Sequence, residues 1–270
     1  MKHILKAGMG KQEDLAIASI FGKLKTNIDF SFIDNKHHTL VFTSSLPNEG
    51  KTTISVNTAF AMAASDKKTL LLDADMRNPS VHTLFNYSNS KGLSDIIGMN
   101  MDWRQFVIKP QLPNLYVITA GRKPVNPAKF FSSDRFRKLV ADLSEEFDTV
   151  VIDTPPVLLV PDSQIVASIA DGVILVVKNG KTMIKALKEA KATLKRANVN
   201  LIGAVLNEVR AKDSLYGYGA GYSYGADVLP KSRSTKTRQP APSQNHRAAK
   251  RPSKTLSPEN KTSPPKKTFK

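Results

Sequence analysis

One stretch, residues 43–53 with the sequence TSSLPNEGKTT, constrains the fold of this chain more than any other. The apolar, β-prone residues 39–42 precede it, and the alanine-rich, helix-compatible residues 54–64 follow it. A Gly-Lys-Thr loop between a strand and a helix can wrap phosphate groups, because the N–H groups and the dipole at the helix start attract anions. The sequence therefore predicts a phosphate-binding loop here.

Two side chains of this loop have predicted roles. Lys51 can reach the terminal phosphates of a nucleotide, and the Thr52 hydroxyl can ligate Mg²⁺. Ser45 stands where the strict motif has its first glycine, so the loop is a variant of that motif.

The composition excludes several kinds of site. The chain has no cysteine, which rules out disulfides, thiolate metal sites and cysteine nucleophiles and fits a reducing cytosol. The N-terminal residues lack the apolar run of a signal peptide, and no apolar stretch approaches the length that spans a bilayer. From the length of 270 residues we expect one domain of about 200 residues plus extra segments.

The net charge of +17 is unevenly distributed. Residues 231–270 contain 12 Lys and Arg residues and a single acidic residue, Glu259. The same segment is rich in Pro, Ser and Thr and almost free of apolar residues, so we expect it to be a disordered basic tail. A solvated, variable tail is the simpler interpretation; the sharper hypothesis is attraction to an anionic membrane surface or an acidic polymer. No specific nucleic-acid partner is expected.

Six apolar runs alternate with helix-compatible segments, and we expect each run to be a strand. The runs are residues 39–43, 69–75, 115–119, 149–153, 172–177 and 201–206. Helices are expected at about 13–27, 51–65, 81–85, 93–97, 103–107, 134–147, 162–170 and 183–194. Near-continuous apolar runs are typical of strands buried on both faces of a parallel sheet. We therefore predict an α/β fold, with a doubly wound, mainly parallel sheet and helices on both faces.

Acidic residues close two of these runs. Asp73 and Asp75 follow the apolar residues 70–72, and Asp153 follows residues 150–152. Ligands of doubly wound sheets bind beyond the carboxyl ends of the strands, where these carboxylates fall. A single such carboxylate could simply cap the next helix, but three beside a phosphate loop indicate a Mg²⁺-dependent nucleotide site.

Further segments, in order along the chain, carry a family resemblance. They are residues 24–28, 77–85, 92–94, 120–127, 153–157 and 205–207. Together with the loop and the acidic strands, they resemble the bacterial tyrosine kinases, P-loop kinases that control capsular and exopolysaccharide synthesis. The resemblance covers about residues 13–225 and is to the stand-alone cytoplasmic form of Gram-positive bacteria. It implies a fold of the partition-ATPase-like group and a separate membrane adaptor that recruits the kinase to the inner face of the membrane.

The resemblance also implies residue roles, with ATP and Mg²⁺ as cofactors. The expected nucleotide-binding residues are Ser45, Pro47, Asn48, Glu49, Gly50, Lys51, Thr52, Thr53 and, as an adenine contact, Asn207. The expected metal-organising residues are Thr52, Asp73 and Asp153. The expected catalytic residues are Lys51, Asp73 and Asp75, of which Asp75 would take the proton of the attacking tyrosine.

A glycine-spaced tyrosine cluster supplies a candidate acceptor. Four of the six tyrosines fall within residues 216–225, and the glycines between them keep the backbone pliable. A flexible aromatic segment that stacks on nucleic acid is the alternative. Beside a phosphate site, autophosphorylation is the favoured interpretation, with acceptors Tyr216, Tyr218, Tyr222 and Tyr224.

These features divide the chain into four expected segments. They are an N-terminal helical segment at 1–38, a P-loop kinase domain at 39–212, the tyrosine cluster at 213–226 and the basic tail at 227–270.

One departure from the family concerns self-association. Family members build a homo-oligomeric ring with a Glu-x-x-Arg-x-x-Arg pattern in the N-terminal helix, where this chain has Ser19, Gly22 and Lys25. Because glycine cannot pair and lysine lacks the bidentate pairing of arginine, we expect weak self-association.

Other classes fit the sequence less well. A partition or division-site ATPase, which acts as a nucleotide-switched binding module, usually carries an additional lysine early in the loop, where this chain has Leu46. An iron–sulfur carrier of the same fold would need cysteines, and a eukaryotic-type kinase would show His-Arg-Asp and Asp-Phe-Gly signatures. An inactive, ATP-binding regulatory paralogue is disfavoured by the intact Lys51, Thr52 and three aspartates.

Overall fold

The computed structural model describes residues 12–32 and 38–209. The predicted tyrosine cluster at 213–226 and basic tail at 227–270 lie outside the described residues. Within the described part, six strands form one parallel sheet in the order β3-β2-β4-β1-β5-β6. The strands are His38–Ser44 (β1), Thr69–Asp73 (β2), Leu115–Ile118 (β3), Thr149–Asp153 (β4), Gly172–Lys178 (β5) and Leu201–Asn207 (β6). The predicted α/β fold with a parallel sheet is confirmed.

Helices connect the strands and cover the sheet. They are Gln12–Phe30 (α1), Lys51–Ala63 (α2), Val81–Phe85 (α3), Leu93–Met99 (α4), Pro127–Phe131 (α5), Asp134–Glu146 (α6), Asp162–Ala167 (α7) and Ile184–Arg196 (α8). Residues Trp103–Phe106 form a 3-10 helix. Across these described elements, no helix combines the length and apolar character that crossing a membrane requires.

One helix, α5, was not predicted from the sequence. Its start has two local signals: the Asn126 side chain accepts a hydrogen bond from the Lys129 N–H at 3.2 Å, and Pro127 occupies the first helical position. The helix is only one turn long, so its residues show no apolar periodicity that could predict it.

The central strands are buried on both faces, as their apolar runs predicted. Every residue of β1, β2 and β4 is buried. Val41 packs into the core on the face covered by α4, α6, α7 and α8, whereas Leu40 and Phe42 pack into the core under α1 and α2. Successive side chains of a strand thus point to opposite faces of the sheet and pack into two separate cores, one on each side.

The strand register brings the functional positions to one edge. Phe42 of β1 pairs with Asp153 at the end of β4, and Asp153 pairs in turn with Asp73 at the end of β2. β2 ends at Asp73, two residues earlier than predicted, so Asp75 lies in the following loop and not in the strand. The phosphate loop, which leaves β1 after Ser44, therefore lies beside all three aspartates.

Candidate functional site

The loop between β1 and α2 adopts a conformation that needs glycine at one position. Gly50, the residue before α2, has φ of +92°, and Asn48 has φ of +61°. A Cβ atom built on Gly50 would lie 2.0 Å from Nδ2 of Asn207, closer than any real contact. Both the left-handed backbone and the close approach of Asn207 therefore require glycine here.

Glu49 holds the loop from inside. Its carboxylate is buried and accepts hydrogen bonds from the Leu46 N–H at 3.1 Å and from the Thr182 hydroxyl at 2.6 Å. Its backbone carbonyl accepts a hydrogen bond from Nδ2 of Asn207 at 3.0 Å. A contact within the loop and contacts to two neighbouring elements, the turn before α8 and the end of β6, therefore brace the loop through one residue. Glu49 was predicted to bind nucleotide, and its contacts here are with the protein; the adenine contact of Asn207 stays a prediction.

Lys51 lies among the carboxylates at the start of α2. Its Nζ is 2.7 Å from Oδ2 of Asp75 and 3.7 Å from Oδ2 of Asp153. Burial lowers the pKa of Lys51, but the charges of Asp153 and Asp75 outweigh that effect, and the net pKa is raised. Lys51 is therefore a stable cation at the point where the phosphates of a nucleotide are expected.

Asp73 organises the loop that follows β2. Oδ1 accepts a hydrogen bond from the Asp75 N–H at 3.1 Å, and Oδ2 accepts from the N–H groups of Ser80 and Val81 at 3.2 and 3.0 Å. Burial, together with the nearby charge of Asp153, raises the pKa of Asp73 to about 8. Both oxygens of Asp73 already accept hydrogen bonds from backbone N–H groups, so these contacts do not support direct metal binding. The metal role of Asp73 stays a prediction.

Thr52 and Asp153 form the part of the site that best fits Mg²⁺. The Thr52 hydroxyl donates a hydrogen bond to Oδ2 of Asp153 at 2.6 Å and accepts one from the Ser80 hydroxyl at 3.0 Å. Oδ1 of Asp153 is buried and has no hydrogen-bond partner among the described residues. Burial raises the pKa of Asp153, and the nearby Lys51 charge and the Thr52 hydrogen bond offset this effect only in part. A hydroxyl oxygen beside an unpaired carboxylate oxygen is a suitable donor set for Mg²⁺.

The described protein groups do not form a complete metal cage. Among residues 12–32 and 38–209, no cluster of three or more His, Asp or Glu side chains is arranged to hold a metal ion. Mg²⁺ usually keeps several waters and is bound through one or two protein groups plus substrate phosphates. Thr52 and Asp153 therefore fit a metal that arrives with a nucleotide, and not a permanently bound one.

Arg77 and Asp162 form an ion pair that was not predicted from the sequence. Nε and Nη2 of Arg77 lie 2.8 and 3.0 Å from the two oxygens of Asp162, a bidentate arrangement. The Asp162 side chain is fully buried at the start of α7, and the Arg77 side chain is 36% exposed. Arg77 follows Asp75 by two residues, so the pair ties the loop that carries Asp75 to α7.

A large cavity opens at this edge of the sheet. Its volume is about 1130 Å³, and its walls include the phosphate loop, the loop after β2, one side of α1 and the end of β6. Lys178, at the end of β5, lines the cavity and pairs with Glu208, and its ammonium donates to the Asn48 carbonyl at 3.4 Å. The cavity is large enough for a nucleotide with room for a second substrate group.

The structure brings together most of the predicted site residues. The cavity-lining residues among them are Pro47, Asn48, Gly50, Lys51, Thr52, Thr53, Asp75 and Asn207. Asp73 and Asp153 lie directly behind this wall, and the Ser45 hydroxyl is buried without a hydrogen-bond partner among the described residues. The predicted acceptors Tyr216, Tyr218, Tyr222 and Tyr224 lie outside the described residues.

Sequence comparisons match this chain to a domain family and to named kinases. The AAA domain family matches residues 48–205. The chain is 38% identical over 196 residues to the tyrosine-protein kinase YwqD of Bacillus subtilis (strain 168), which covers 72% of this chain and 83% of that protein. It is 35% identical over 201 residues to the tyrosine-protein kinase CpsD of Streptococcus agalactiae, which covers 74% of this chain and 87% of that protein.

Solved structures separate the kinases from their distant relatives. The kinase domain of the Escherichia coli tyrosine kinase ETK aligns with a TM-score of 0.70 at 32% identity, over 77% of this chain and 80% of that one. The septum site-determining protein MinD of Pyrococcus horikoshii OT3 aligns with a TM-score of 0.54 at 19% identity, over 63% of this chain and 69% of that one, and shares the fold alone. The chain belongs to the family of bacterial tyrosine-protein kinases.

Proposed function

We propose that this chain transfers the γ-phosphoryl group of ATP to tyrosine hydroxyls of its own C-terminal cluster. One observation carries the proposal: a cation expected to bind phosphate, Lys51, lies 2.7 Å from a carboxylate, Asp75, that can accept a proton in the same cavity. The proposed acceptors are Tyr216, Tyr218, Tyr222 and Tyr224.

The phosphate loop and α2 supply the binding energy for the nucleotide. The backbone N–H groups of residues 48–52 and the start of α2 offer donors and a positive dipole end to the β- and γ-phosphates. Lys51 neutralises phosphate charge, and its raised pKa keeps it protonated in neutral solution. Thr52 and Asp153 would hold Mg²⁺, which when bound screens the charge that develops on the phosphate oxygens.

Asp75 is the proposed acceptor of the tyrosine proton. The tyrosine oxygen forms a bond to the γ-phosphorus, the bond from that phosphorus to the β,γ-bridging oxygen breaks, and ADP leaves. The hydroxyl proton passes to the Asp75 carboxylate, since a free tyrosine with a pKa of about 10 is a poor nucleophile at neutral pH. Asn78 and Lys51 hold the two Asp75 oxygens, so the carboxylate faces the cavity in a fixed orientation.

Asp73 has a positioning role in this proposal. Its hydrogen bonds to the N–H groups of Asp75, Ser80 and Val81 fix the turn that presents both the Asp75 carboxylate and the Ser80 hydroxyl. A shift of about 1 Å in such a loop can cost on the order of a hundredfold in rate. Loss of Asp73 would therefore impair catalysis even without direct contact to the metal.

The family relationship supports a role in capsular or exopolysaccharide synthesis. In this proposal the chain binds a membrane adaptor through the adaptor's cytoplasmic segment, and the adaptor recruits it to the inner face of the cell membrane. The basic tail at 231–270 adds attraction to anionic lipid headgroups.

Contacts on α1 support weak self-association. Lys25, which retains positive charge at the expected ring-forming positions, lies 2.7 Å from Asp29 on the same helix. Asp29 also pairs with Lys67 at 2.8 Å, and together these cations outweigh the effect of burial and lower the pKa of Asp29. Since Lys25 is already paired within its own chain, it is poorly placed to bind a neighbouring subunit.

Mapping of phosphate by mass spectrometry tests the function. The full chain is incubated with ATP and Mg²⁺, with and without a cytoplasmic peptide of an adaptor, and phosphate is expected on the tyrosines of residues 216–224. Lys51→Met should show none, whereas Lys129→Met, which removes an exposed lysine of α5, should label as the wild type does. Equal labelling of Lys51→Met, or no phosphotyrosine under either condition, contradicts the proposal.

A further inference from the structure

The outward face of α8 and the turn before it carries a row of positive charge. Its basic residues are all exposed: Lys181, Lys185, Lys188, Lys191, Lys195 and Arg196. Most neighbours in the row are three or four residues apart, which places them on one side of the helix. The opposite side of α8 packs on the sheet through Ala186, Ala190 and Leu194, all buried. This row, from Lys181 to Arg196, is called the α8 face below.

The α8 face has no ionic partner within the described part of the chain. None of its six basic side chains forms a salt bridge there, and neither does Glu189, the one acidic residue of α8. Like charges three or four residues apart repel each other and destabilise a helix. An ordinary solvated helix relieves this repulsion by alternating acidic and basic residues, and α8 does so at a single position.

Two large apolar side chains adjoin the lysines. Met183 is 64% exposed and Ile184 is 72% exposed, at the N-terminal end of α8. Ile184 lies within the row, three residues after Lys181 and four before Lys188, so basic and apolar groups share one surface.

We propose that the α8 face binds a membrane surface that bears anionic lipid headgroups. Lysine side chains reach headgroup phosphates while their aliphatic stems cover apolar surface, and each contributes electrostatic attraction close to the bilayer. Met183 and Ile184 enter the boundary between headgroups and acyl chains, which removes their apolar surface from water. Nucleic acid would match the charge but would leave both apolar side chains exposed, so the lipid surface is the better fit.

The α8 face begins next to the phosphate loop. Thr182, directly before Met183, donates the hydrogen bond that holds the Glu49 carboxylate at 2.6 Å. A membrane bound at Met183 therefore lies close to the nucleotide cavity. The α8 face and the basic tail are different segments of the sequence, and the proposed membrane contact of the α8 face does not depend on the kinase reaction.

Cosedimentation of the full chain with vesicles tests the charge contribution. Vesicles of phosphatidylglycerol and phosphatidylcholine are compared with vesicles of phosphatidylcholine alone. Lys185→Glu/Lys188→Glu/Lys191→Glu should weaken binding to the anionic vesicles by about tenfold or more. The control Lys91→Glu/Lys129→Glu/Lys138→Glu makes the same charge change at exposed lysines elsewhere and keeps the basic tail intact.

Two results of this experiment would overturn the proposal. If both triple variants bind the anionic vesicles equally, the attraction is a property of net charge and not of the α8 face. If the α8 variant loses binding to duplex DNA while its vesicle binding is unchanged, the partner is nucleic acid.

A fluorescence reporter tests the apolar contact without altering any lysine. Trp103 is the single tryptophan, and its Nε1 has no hydrogen-bond partner among the described residues, so Trp103→Phe loses no such bond. In that background, Ile184→Trp should shift its emission to shorter wavelength on anionic vesicles. A tryptophan at the fully exposed Val125 position (Val125→Trp) should not shift. Equal emission from both reporters contradicts insertion at Ile184.

Discussion

Lys51 and Asp75 form an ion pair of 2.7 Å, which joins the expected phosphate-binding cation to the expected proton acceptor. The Asp75 side chain is 3% exposed and that of Lys51 is 12% exposed, so little water competes with the pair. A triphosphate carries more negative charge than one carboxylate and would draw the Lys51 ammonium toward itself. Nucleotide binding is therefore expected to free Oδ2 of Asp75 for the tyrosine proton.

Asp75→Asn should separate nucleotide binding from phosphoryl transfer. Without the Asp75 carboxylate, the phosphates of ATP no longer compete with it for the Lys51 ammonium. The variant should therefore bind ATP as tightly as the wild type does, or more tightly. Phosphotyrosine formation should fall by about 10²–10⁴-fold, the usual contribution of a general base. ATP titration calorimetry and single-turnover labelling measure the two quantities.

Asp142→Asn on α6 makes the same chemical change away from the cavity and should leave both quantities unchanged. Parallel loss of ATP affinity and of transfer rate in Asp75→Asn would mean that Asp75 only supports the fold of the site.

Thr182→Val should weaken nucleotide binding through Glu49. The substitution removes the hydroxyl that donates to the Glu49 carboxylate and accepts the Lys178 N–H at 2.8 Å. A buried carboxylate oxygen without its donor costs about 1–3 kcal/mol, so ATP affinity should fall by roughly tenfold as the phosphate loop loosens. Thr182→Ser keeps the hydroxyl and should restore most of the affinity in a fluorescent-nucleotide titration. If serine fails to do so, the methyl packing of Thr182 matters instead.

The pair Arg77–Asp162 should respond asymmetrically to substitution. Arg77→Met leaves the buried Asp162 carboxylate unpaired and should lower the free energy of unfolding by about 2 kcal/mol. This cost is smaller than for a fully buried pair, because Arg77 is partly exposed to water. Asp162→Asn leaves a cation that can reach water and should cost less. The double variant should lose less stability than the sum of the single variants in urea unfolding. Additive losses would mean that the two residues act independently.

The pH dependence of stability should reflect Asp73. Its pKa in the folded chain is about 8, against 3.8 for the free group, so the folded state keeps a proton that the unfolded state has lost between these values. Between the free pKa of 3.8 and the folded pKa of about 8, the free energy of unfolding of the nucleotide-free, metal-free chain should therefore fall as pH rises. Asp153, whose pKa burial also raises, contributes in the same direction.

Asp73→Asn, which carries no titrating proton, should flatten this fall without removing the part due to Asp153. Denaturant unfolding between about pH 5 and pH 8, a range that lies between the free and folded pKa values of Asp73, measures how the free energy of unfolding changes with pH. An unchanged slope in the variant would assign the dependence to other groups.

The sheet and the centre of the site could be predicted from local sequence. Near-continuous apolar runs predicted the parallel strands. Because the carboxyl ends of parallel strands meet at one edge of the sheet, Lys51, Thr52 and Asp153 were expected to be neighbours. The predicted strand 69–75 was too long at its end, because Ala74 is apolar and extends the apparent run beyond Asp73.

The contacts that brace the site could not be predicted in this way. Arg77 and Asp162 are 85 residues apart, and Glu49 and Thr182 are 133 residues apart. Neither pair belongs to a motif of fixed spacing, and each depends on how α7 and α8 pack beside the loops. The role of Asp73 depends likewise on the turn after β2. The sequence shows the carboxylate, but it does not show which backbone N–H groups donate hydrogen bonds to its oxygens.

The most direct measurement compares the phosphotyrosine formed with the inorganic phosphate released during the first turnover of the full chain with ATP and Mg²⁺. Phosphotyrosine is expected in an amount equal to the ADP formed, with little free phosphate, and Lys51→Met should form neither phosphotyrosine nor ADP. ADP with an equal amount of inorganic phosphate and no phosphotyrosine would contradict this expectation, because the γ-phosphoryl group would then pass to water, as in a nucleotide-switched ATPase.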